Sequence, residues 1–184
     1  MFSDDFSHYH LSANNYEFRQ HNANYYILDE IFDIAHEFGL KIVEDAAHAL
    51  PSTYKGKFIG SLKSDVTVFS FHPVKIITTA EGGVALTNDV KVAERMSLYR
   101  SHGVTRDKKQ MTQVPDGPWY YQQVELGYNY RMTELQAALG ISQLARLDMF
   151  VSKRHELARR YDEKLSHLPL VTPYQLADTY SGLH

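Results

Sequence analysis

Short β-branched and aromatic segments alternate with helical segments along this chain, and that alternation limits the possible folds more than any other feature. Strand-like segments occupy residues 40–44, 65–70 and 83–87, and helical periodicity occupies residues 27–38, 90–99 and 151–165. Strands that alternate with helices predict an α/β domain with a mainly parallel sheet flanked by helices. So few strand candidates are unusual for such a sheet, so we expect the chain to form part of a larger one.

Helix ends carry recognisable capping residues. Gly39 follows the first helical segment, where a C-terminal cap belongs, and Asp89 precedes the second as an N-cap. Thr133 and Gln136 have the spacing of a capping box at the start of a further helix. Six apolar residues in and after that helix predict its buried stripe: Leu135, Ala138, Leu139, Ile141, Leu144 and Leu147.

The run at residues 65–83 joins a strand to a lysine and a glycine pair. Pro73 marks a turn after the strand, and Lys75 follows between two apolar neighbours. Gly82 and Gly83 then allow a close approach of the backbone to a ligand. A lysine in an apolar turn at a strand end can act as a nucleophile, although a lone lysine is far more often an ordinary surface residue.

Asp45 ends the strand at residues 40–44, so it lies at the type of sheet edge where open α/β folds bind ligands. A carboxylate and an amine at one such edge suit pyridoxal phosphate, since lysine forms a Schiff base and aspartate keeps the pyridine nitrogen protonated. The spacing alone is weak evidence. Taken singly, Asp45 could cap a turn, His48 could be a buried histidine, and Ser70 could be an ordinary strand-end hydroxyl.

Composition excludes several functional classes. The 184 residues include no cysteine and carry a net charge of −3, with no basic tract, so neither a nucleic acid nor a membrane is an expected partner. No apolar run is long enough to span a membrane, and we expect a cytoplasmic protein. His8 and His10 lack a third ligand nearby, so we expect no metal site.

Four motifs carry a family resemblance. They are Val-Glu-Asp-Ala-Ala-His-Ala at 43–49, Phe-Ser-Phe-His-Pro-Val-Lys at 69–75, Thr-Ala-Glu-Gly-Gly at 79–83 and Gly-Tyr-Asn-Tyr-Arg-Met-Thr-Glu at 127–134. With them, the chain resembles the DegT/DnrJ/EryC1/StrS nucleotide-sugar aminotransferases over residues 28–184. It is most similar to the branch that aminates UDP-4-keto-6-deoxy-N-acetyl-altrosamine in pseudaminic acid biosynthesis. The resemblance implies the large domain of the pyridoxal phosphate-dependent aminotransferase fold (fold type I).

The resemblance also implies residue roles. Lys75 would form the Schiff base and shuttle protons, and Asp45 would pair with the pyridinium nitrogen. His48 would contact the 3′-oxygen of the cofactor, and Ser70 would bind its phosphate. Asn129 would reach the phosphate of a neighbouring subunit, because sites in the family form at a dimer interface. A 4-keto-6-deoxy nucleotide sugar is the implied substrate, with glutamate as the amino donor.

The chain also departs from the family pattern. We expect a divergent, irregular segment at residues 1–26, a partial large domain at 27–168 and the start of a missing small domain at 169–184. Ala80 replaces a usual glycine, which would strain the lysine loop if its φ is positive. A truncated, non-catalytic fragment that acts only with a complementary chain is therefore the alternative function. A Rossmann-type dinucleotide site is excluded, because no G-x-G-x-x-G follows a strand.

Overall fold

The computed structural model describes residues 23–173, 175 and 178–182, and it divides the chain into two compact units, residues 1–40 and 41–184. Helix α1 (Ala23–Glu37) belongs to the first unit. The second unit contains, in chain order, β1 (Val43–Asp45), β2 (Thr53–Tyr54), β3 (Lys57–Phe58), β4 (Val66–Ser70), β5 (Gly83–Leu86), α2 (Val90–Arg100), β6 (Val104–Thr105), β7 (Gln122–Gln123), α3 (Glu134–Leu144), α4 (Leu147–Leu165) and β8 (Thr179–Tyr180).

Helix α1 begins four residues before the predicted start at residue 27. The irregular segment predicted for residues 1–26 is therefore wrong for 23–26, which contain no glycine or proline to oppose a helix. Residues 1–22 lie outside the described part of the chain. The predicted cap is confirmed: Gly39 has φ +64°, and the Leu40 N–H donates to the carbonyl of Ala35 at 2.8 Å.

The central sheet has the order β1-β4-β5 and is mixed. Strand β1 pairs with β4 in parallel, with Asp45 beside Val68, and β5 runs antiparallel to β4, with Gly83 beside Ser70. The fold class predicted from the alternation is confirmed as α/β. Strand β5 is antiparallel because the lysine turn, residues 71–82, is a short return connection between β4 and β5 rather than a helical crossover.

Alternation along β4 separates a covered face of the sheet from an open one. Thr67 and Phe69 are buried on one face, whereas Val68 on the other is exposed. Because side chains paired across neighbouring strands point to the same face, Asp45 and Ser70 share the open face with Val68. The sheet therefore presents its polar strand-end residues on the face where Val68 is exposed, within the part of the chain that the structure describes.

The C-terminal segment pairs with an earlier hairpin. Strands β2 and β3 form the hairpin through a turn in which Lys55 and Gly56 both have positive φ, and β8 adds antiparallel to β2. His155 of α4 stacks on Tyr180 with ring centroids 4.7 Å apart. Residues 178–182 therefore pack within the second unit, while the small domain predicted to begin at 169 stays a prediction.

Helix α3 begins as predicted but is not buried as predicted. Thr133 and Gln136 form both hydrogen bonds of the capping box. The predicted apolar stripe is wrong for Leu135, Ile141 and Leu144, which are 86%, 73% and 56% exposed, whereas Leu147 packs against the core. A periodic pattern shows which positions can be buried, but burial also needs a neighbouring element, and the described chain does not supply one over most of this helix.

Helix α4 covers the lysine turn instead. Ile76, Ile77 and Val151 form a buried cluster, with Leu50, Phe71, Leu147 and Phe150 packed against it. Asp89 caps α2 as predicted, its carboxylate accepting from the N–H groups of Lys91 and Val92. Among the described residues, no helix combines the length and the apolar character needed to cross a membrane.

Candidate active site

The lysine turn, residues 71–82, is held at both ends by backbone hydrogen bonds. The Phe71 N–H donates to the carbonyl of Gly82 at 2.8 Å, and the Thr79 N–H donates to that of Phe71 at 3.0 Å. Directly after Lys75, Ile76 and Ile77 enter the core, so the backbone at the lysine is anchored. Lys75 itself is half-buried. The turn thus fixes the backbone position of Lys75, while its amine remains accessible.

The amine of Lys75 lies against the ring of His48. Lys75 Nζ and His48 Nε2 are 2.6 Å apart, within hydrogen-bond distance. His48 reaches this position because the chain turns directly after β1, where the Ala46 N–H donates to Val68 and the Ala49 N–H to Ala46. Two residues predicted separately for the site are therefore brought into contact. In this arrangement His48 contacts the lysine, whereas the prediction was a contact with the 3′-oxygen of the cofactor.

Asp45 and Ser70 stand at the ends of neighbouring strands on the open face of the sheet. The Asp45 carboxylate accepts from the Ala47 N–H at 3.0 Å, and the Ser70 hydroxyl accepts from the His72 N–H at 3.3 Å. Both groups keep further acceptor capacity. The predicted grouping of a carboxylate, a hydroxyl and an amine at one sheet edge is thus present in the geometry.

A small recess joins these elements. Ser70, Lys75 and His48 line it together with Ala47, Leu50, Ile76 and Ile77, and its volume is only about 10 Å³. That is room for a single water molecule at most. A ring-sized ligand would therefore lie outside the recess, against the open sheet face that carries Asp45 and Ser70.

Asn129 lies in a different segment, which follows β7. Its backbone forms an antiparallel bridge with Ser101 beyond the end of α2, and its side chain is exposed. The neighbouring rings of Tyr128 and Tyr130 stack with centroids 4.9 Å apart. Among the described residues, no hydrogen bond joins Asn129 to Lys75, His48, Asp45 or Ser70, so its predicted role toward a second subunit stays a prediction.

The glycine pair serves a structural purpose in this chain. A Cβ on Gly83 would lie 2.6 Å from the carbonyl oxygen of Phe69, and one on Gly82 would lie 2.3 Å from Thr79 Oγ1. Both positions therefore require glycine because of internal contacts. Ala80, in the position where the family usually has glycine, has φ +66°, so the strain anticipated from the sequence is present.

One charged pair near the sheet has perturbed pKa values. Asp65 accepts from Lys41 Nζ and from the Ile42 N–H, each at 2.8 Å. The Lys41 hydrogen bond, followed by that of Ile42, holds the pKa of the Asp65 carboxyl below its usual value. This pair fastens the start of β1 to the start of β4, at the opposite end of the strands from Lys75. Its effect is on stability rather than on the site.

Sequence reasoning missed one group of residues beside Lys75. Lys153, Arg154 and Tyr161 of α4 line a groove that also contains Lys75. The available signal was the spacing of positions 150, 154, 157 and 161, which places them on one helical face. What the sequence could not show was that this face lies along the lysine turn.

Comparison with protein families identifies the relationship. Residues 24–183 match the model of the DegT/DnrJ/EryC1/StrS aminotransferase family. A UDP-4-amino-4,6-dideoxy-N-acetyl-β-L-altrosamine transaminase of Campylobacter jejuni is 43% identical over 137 residues, which cover 74% of this chain and 34% of that enzyme.

Solved structures agree with this relationship. PseC of Helicobacter pylori, an aminotransferase of pseudaminic acid biosynthesis, superposes with a TM-score of 0.67 at 35% identity, covering 77% of this chain and 35% of that one. A protein of Streptococcus pneumoniae described as a sugar aminotransferase, in its PLP form, gives 0.64 at 35% identity over 78% and 35%.

The match covers only part of each relative. The chain spans between 34% and 40% of the length of the curated relatives it matches. The match nevertheless extends over most of this chain, from α1 to β8, and includes the lysine turn. The chain therefore belongs to the DegT/DnrJ/EryC1/StrS aminotransferase family.

Proposed function

We propose that this chain supplies the lysine-bearing part of a pyridoxal phosphate-dependent aminotransferase that acts on a UDP-linked 4-keto-6-deoxy sugar, with glutamate as the amino donor. The single observation that carries the proposal is the contact between Lys75 Nζ and His48 Nε2 at the carboxyl ends of the strands. The substrate class follows from the named activity of the altrosamine transaminases among its relatives. Pseudaminic acid biosynthesis, in the cytoplasm, is the pathway that this substrate implies.

The residues present fit the cofactor. Lys75 offers an amine, Asp45 a carboxylate with free acceptor capacity, and Ser70 a hydroxyl on the same open face. Pyridoxal phosphate needs one group of each kind, for its carbonyl carbon, its pyridine nitrogen and its phosphate. When bound, it supplies an electron sink for the substrate carbon that loses a proton.

The protein's own groups would divide the work of holding the cofactor and moving the proton. Lys75 would hold the cofactor covalently between turnovers, and its released amine would carry a proton between carbon atoms. His48 Nε2 would orient Lys75 Nζ through the 2.6 Å contact and meet the cofactor's 3′-oxygen from the same position. Asp45 would keep the ring nitrogen protonated, and Ser70 would bind phosphate. Asn129 would serve a neighbouring subunit, so we propose a homodimer with shared sites.

Titration with pyridoxal phosphate tests the proposal. Wild-type chain should develop a visible absorption band, because a lysine Schiff base extends the conjugation of the cofactor, and Lys75→Ala should abolish it. Lys57→Ala is the matched control, since Lys57 is an exposed lysine on β3 and should leave the band unchanged. Equal bands in both variants would contradict the assignment of Lys75.

A second candidate function is that of a fragment that acts only with a complementary chain. The open face of the sheet favours it, since Val68 and Leu86 are both more than a third exposed. Measurable transamination by the isolated 184-residue chain would rule this candidate out. Activity that appears only when a second polypeptide is added would favour it over the first.

A further inference from the structure

A groove runs between the lysine turn and helix α4. Its volume is about 530 Å³, and Pro73 and Lys75 form one side while Phe150, Arg154, Leu157 and Tyr161 form the other. Lys75 also lines the small recess with His48, so its side chain lies at the junction of the two spaces. A volume of this size holds a ligand the size of a nucleotide, whereas an amino acid would fill only part of it.

The charge of the groove is one-sided. Three of its lining side chains are cationic, Lys75, Lys153 and Arg154, and none of its described lining residues is acidic. Lys153 is already paired, with its Nζ 2.7 and 2.8 Å from the two carboxylate oxygens of Glu156. Arg154 is half-buried and has neither an ion pair nor a hydrogen bond to any residue that the structure describes. A guanidinium in that position is the group best suited to take an anion.

The remaining lining is apolar and aromatic. Phe150 and Leu157 flank Arg154 on the same face of α4, and Tyr161, which is 64% exposed, lies two turns further along. A nucleotide can use both groups, because its phosphate binds a guanidinium and its base stacks on an exposed aromatic ring. Glutamate would leave the aromatic end unused.

We infer that this groove binds the nucleoside diphosphate part of the sugar substrate, with Arg154 on the diphosphate and Tyr161 against the base. The inference rests on the proposed function, because the groove lies beside the reacting amine only if Lys75 is the catalytic lysine. The sugar would then extend from Arg154 toward the amine of Lys75, which lines both spaces together with Ile76. Arg154 is thus a substrate-binding residue of this chain.

Calorimetric titration of UDP into the 184-residue chain tests the inference. Arg154→Ala should weaken UDP binding by about tenfold or more, since charge-assisted bidentate contacts are the strong ones. Arg159→Ala is the matched control, because it removes the same charge from the same helix at a position outside the groove, and it should change binding by less than about twofold. Arg154→Lys should recover part of the affinity, and circular dichroism of each variant shows that the fold is retained.

Three outcomes would overturn the inference: no UDP binding by the wild-type chain, equal losses in Arg154→Ala and Arg159→Ala, or a loss in Arg154→Ala of glutamate binding with UDP binding intact. The third outcome would assign the groove to the amino donor. The UDP titration needs no pyridoxal phosphate, so its result is separate from the absorption test of Lys75. If the cofactor fails to bind but UDP binding depends on Arg154, the proposed function is contradicted. The groove would then still be assigned to the nucleoside diphosphate.

Discussion

Ala80 occupies a backbone conformation that alanine tolerates poorly. Its φ of +66° lies in the left-handed region, which costs an L-residue on the order of 1–2 kcal/mol relative to glycine. We expect Ala80→Gly to raise the free energy of unfolding by about 1 kcal/mol, as measured by urea denaturation. Ala137→Gly, within α3, should lower it by about the same amount, because glycine is unfavourable inside a helix. A destabilising Ala80→Gly would show that the lysine turn is not strained.

Asp65 should make the stability of the chain depend on pH. Its carboxyl pKa is lowered in the folded state, chiefly by Lys41, so its contribution is present above the unfolded pKa near 4 and is lost as the pH falls through the folded value. Asp65→Asn should cost about 1 kcal/mol at neutral pH, because it removes the ion pair with Lys41 and weakens the bond to the Ile42 N–H.

That difference between wild type and Asp65→Asn should shrink below about pH 4, where the wild-type carboxyl becomes neutral as well. Thermal unfolding of both proteins between pH 3 and 7 measures it. A difference that stays constant over this range would mean that the charge of Asp65 contributes nothing.

Helix α3 depends on its capping box at the scale of a single element. Thr133 Oγ1 accepts from the Gln136 N–H at 3.3 Å, and the Gln136 side chain also donates to the carbonyl of Glu81, next to the glycine pair. Thr133→Ala should lower stability by about 1 kcal/mol, whereas Thr133→Ser keeps the acceptor and should cost much less. Chemical denaturation of the two variants separates them, and equal losses would contradict the role of the hydroxyl.

Local features of the elements could be predicted from the sequence because they depend on residues close in the chain. Gly39, Asp89 and Thr133 cap their helices as predicted, and the strand before Lys75 is one residue shorter than predicted. The position of Asp45 near Ser70 could also be predicted from the sequence, since parallel strands place their carboxyl ends at one edge of the sheet.

Features that depend on a distant neighbour could not be predicted. Leu135 and Ile141 have the periodicity of buried residues, but no pattern within a helix states whether another element covers it. The contact of His48 with Lys75 depends on how two turns meet, and the groove beside Arg154 depends on where α4 crosses. Each of these needed the three-dimensional arrangement.

At the scale of the whole chain, exposed apolar surface should cause self-association. Leu135, Ile141 and Leu144 are exposed on α3, and Tyr128 and Tyr130 are exposed nearby in sequence. Large apolar side chains exposed together on one helix mark a candidate interface or aggregation site. We expect sedimentation velocity to show the wild-type chain as dimers or larger species, and Leu135→Glu with Ile141→Glu to shift it toward monomer.

The control for that shift is Val114→Glu, which changes a 91% exposed apolar residue in the loop between β6 and β7. It should leave the sedimentation profile unchanged, because an isolated exposed side chain does not form an interface. A wild-type chain that is monomeric at all concentrations would remove the case for association through α3, and with it the structural support for a shared site.

Borohydride reduction followed by peptide mapping tests whether Lys75 holds the cofactor, because reduction fixes pyridoxal phosphate to the lysine that holds it. We expect the peptide containing Lys75 to carry the modification at one equivalent of cofactor, while the exposed Lys57 and Lys153 stay unmodified. Modification spread evenly over exposed lysines, with Lys75 unlabelled, would contradict the assignment of this turn as the cofactor site.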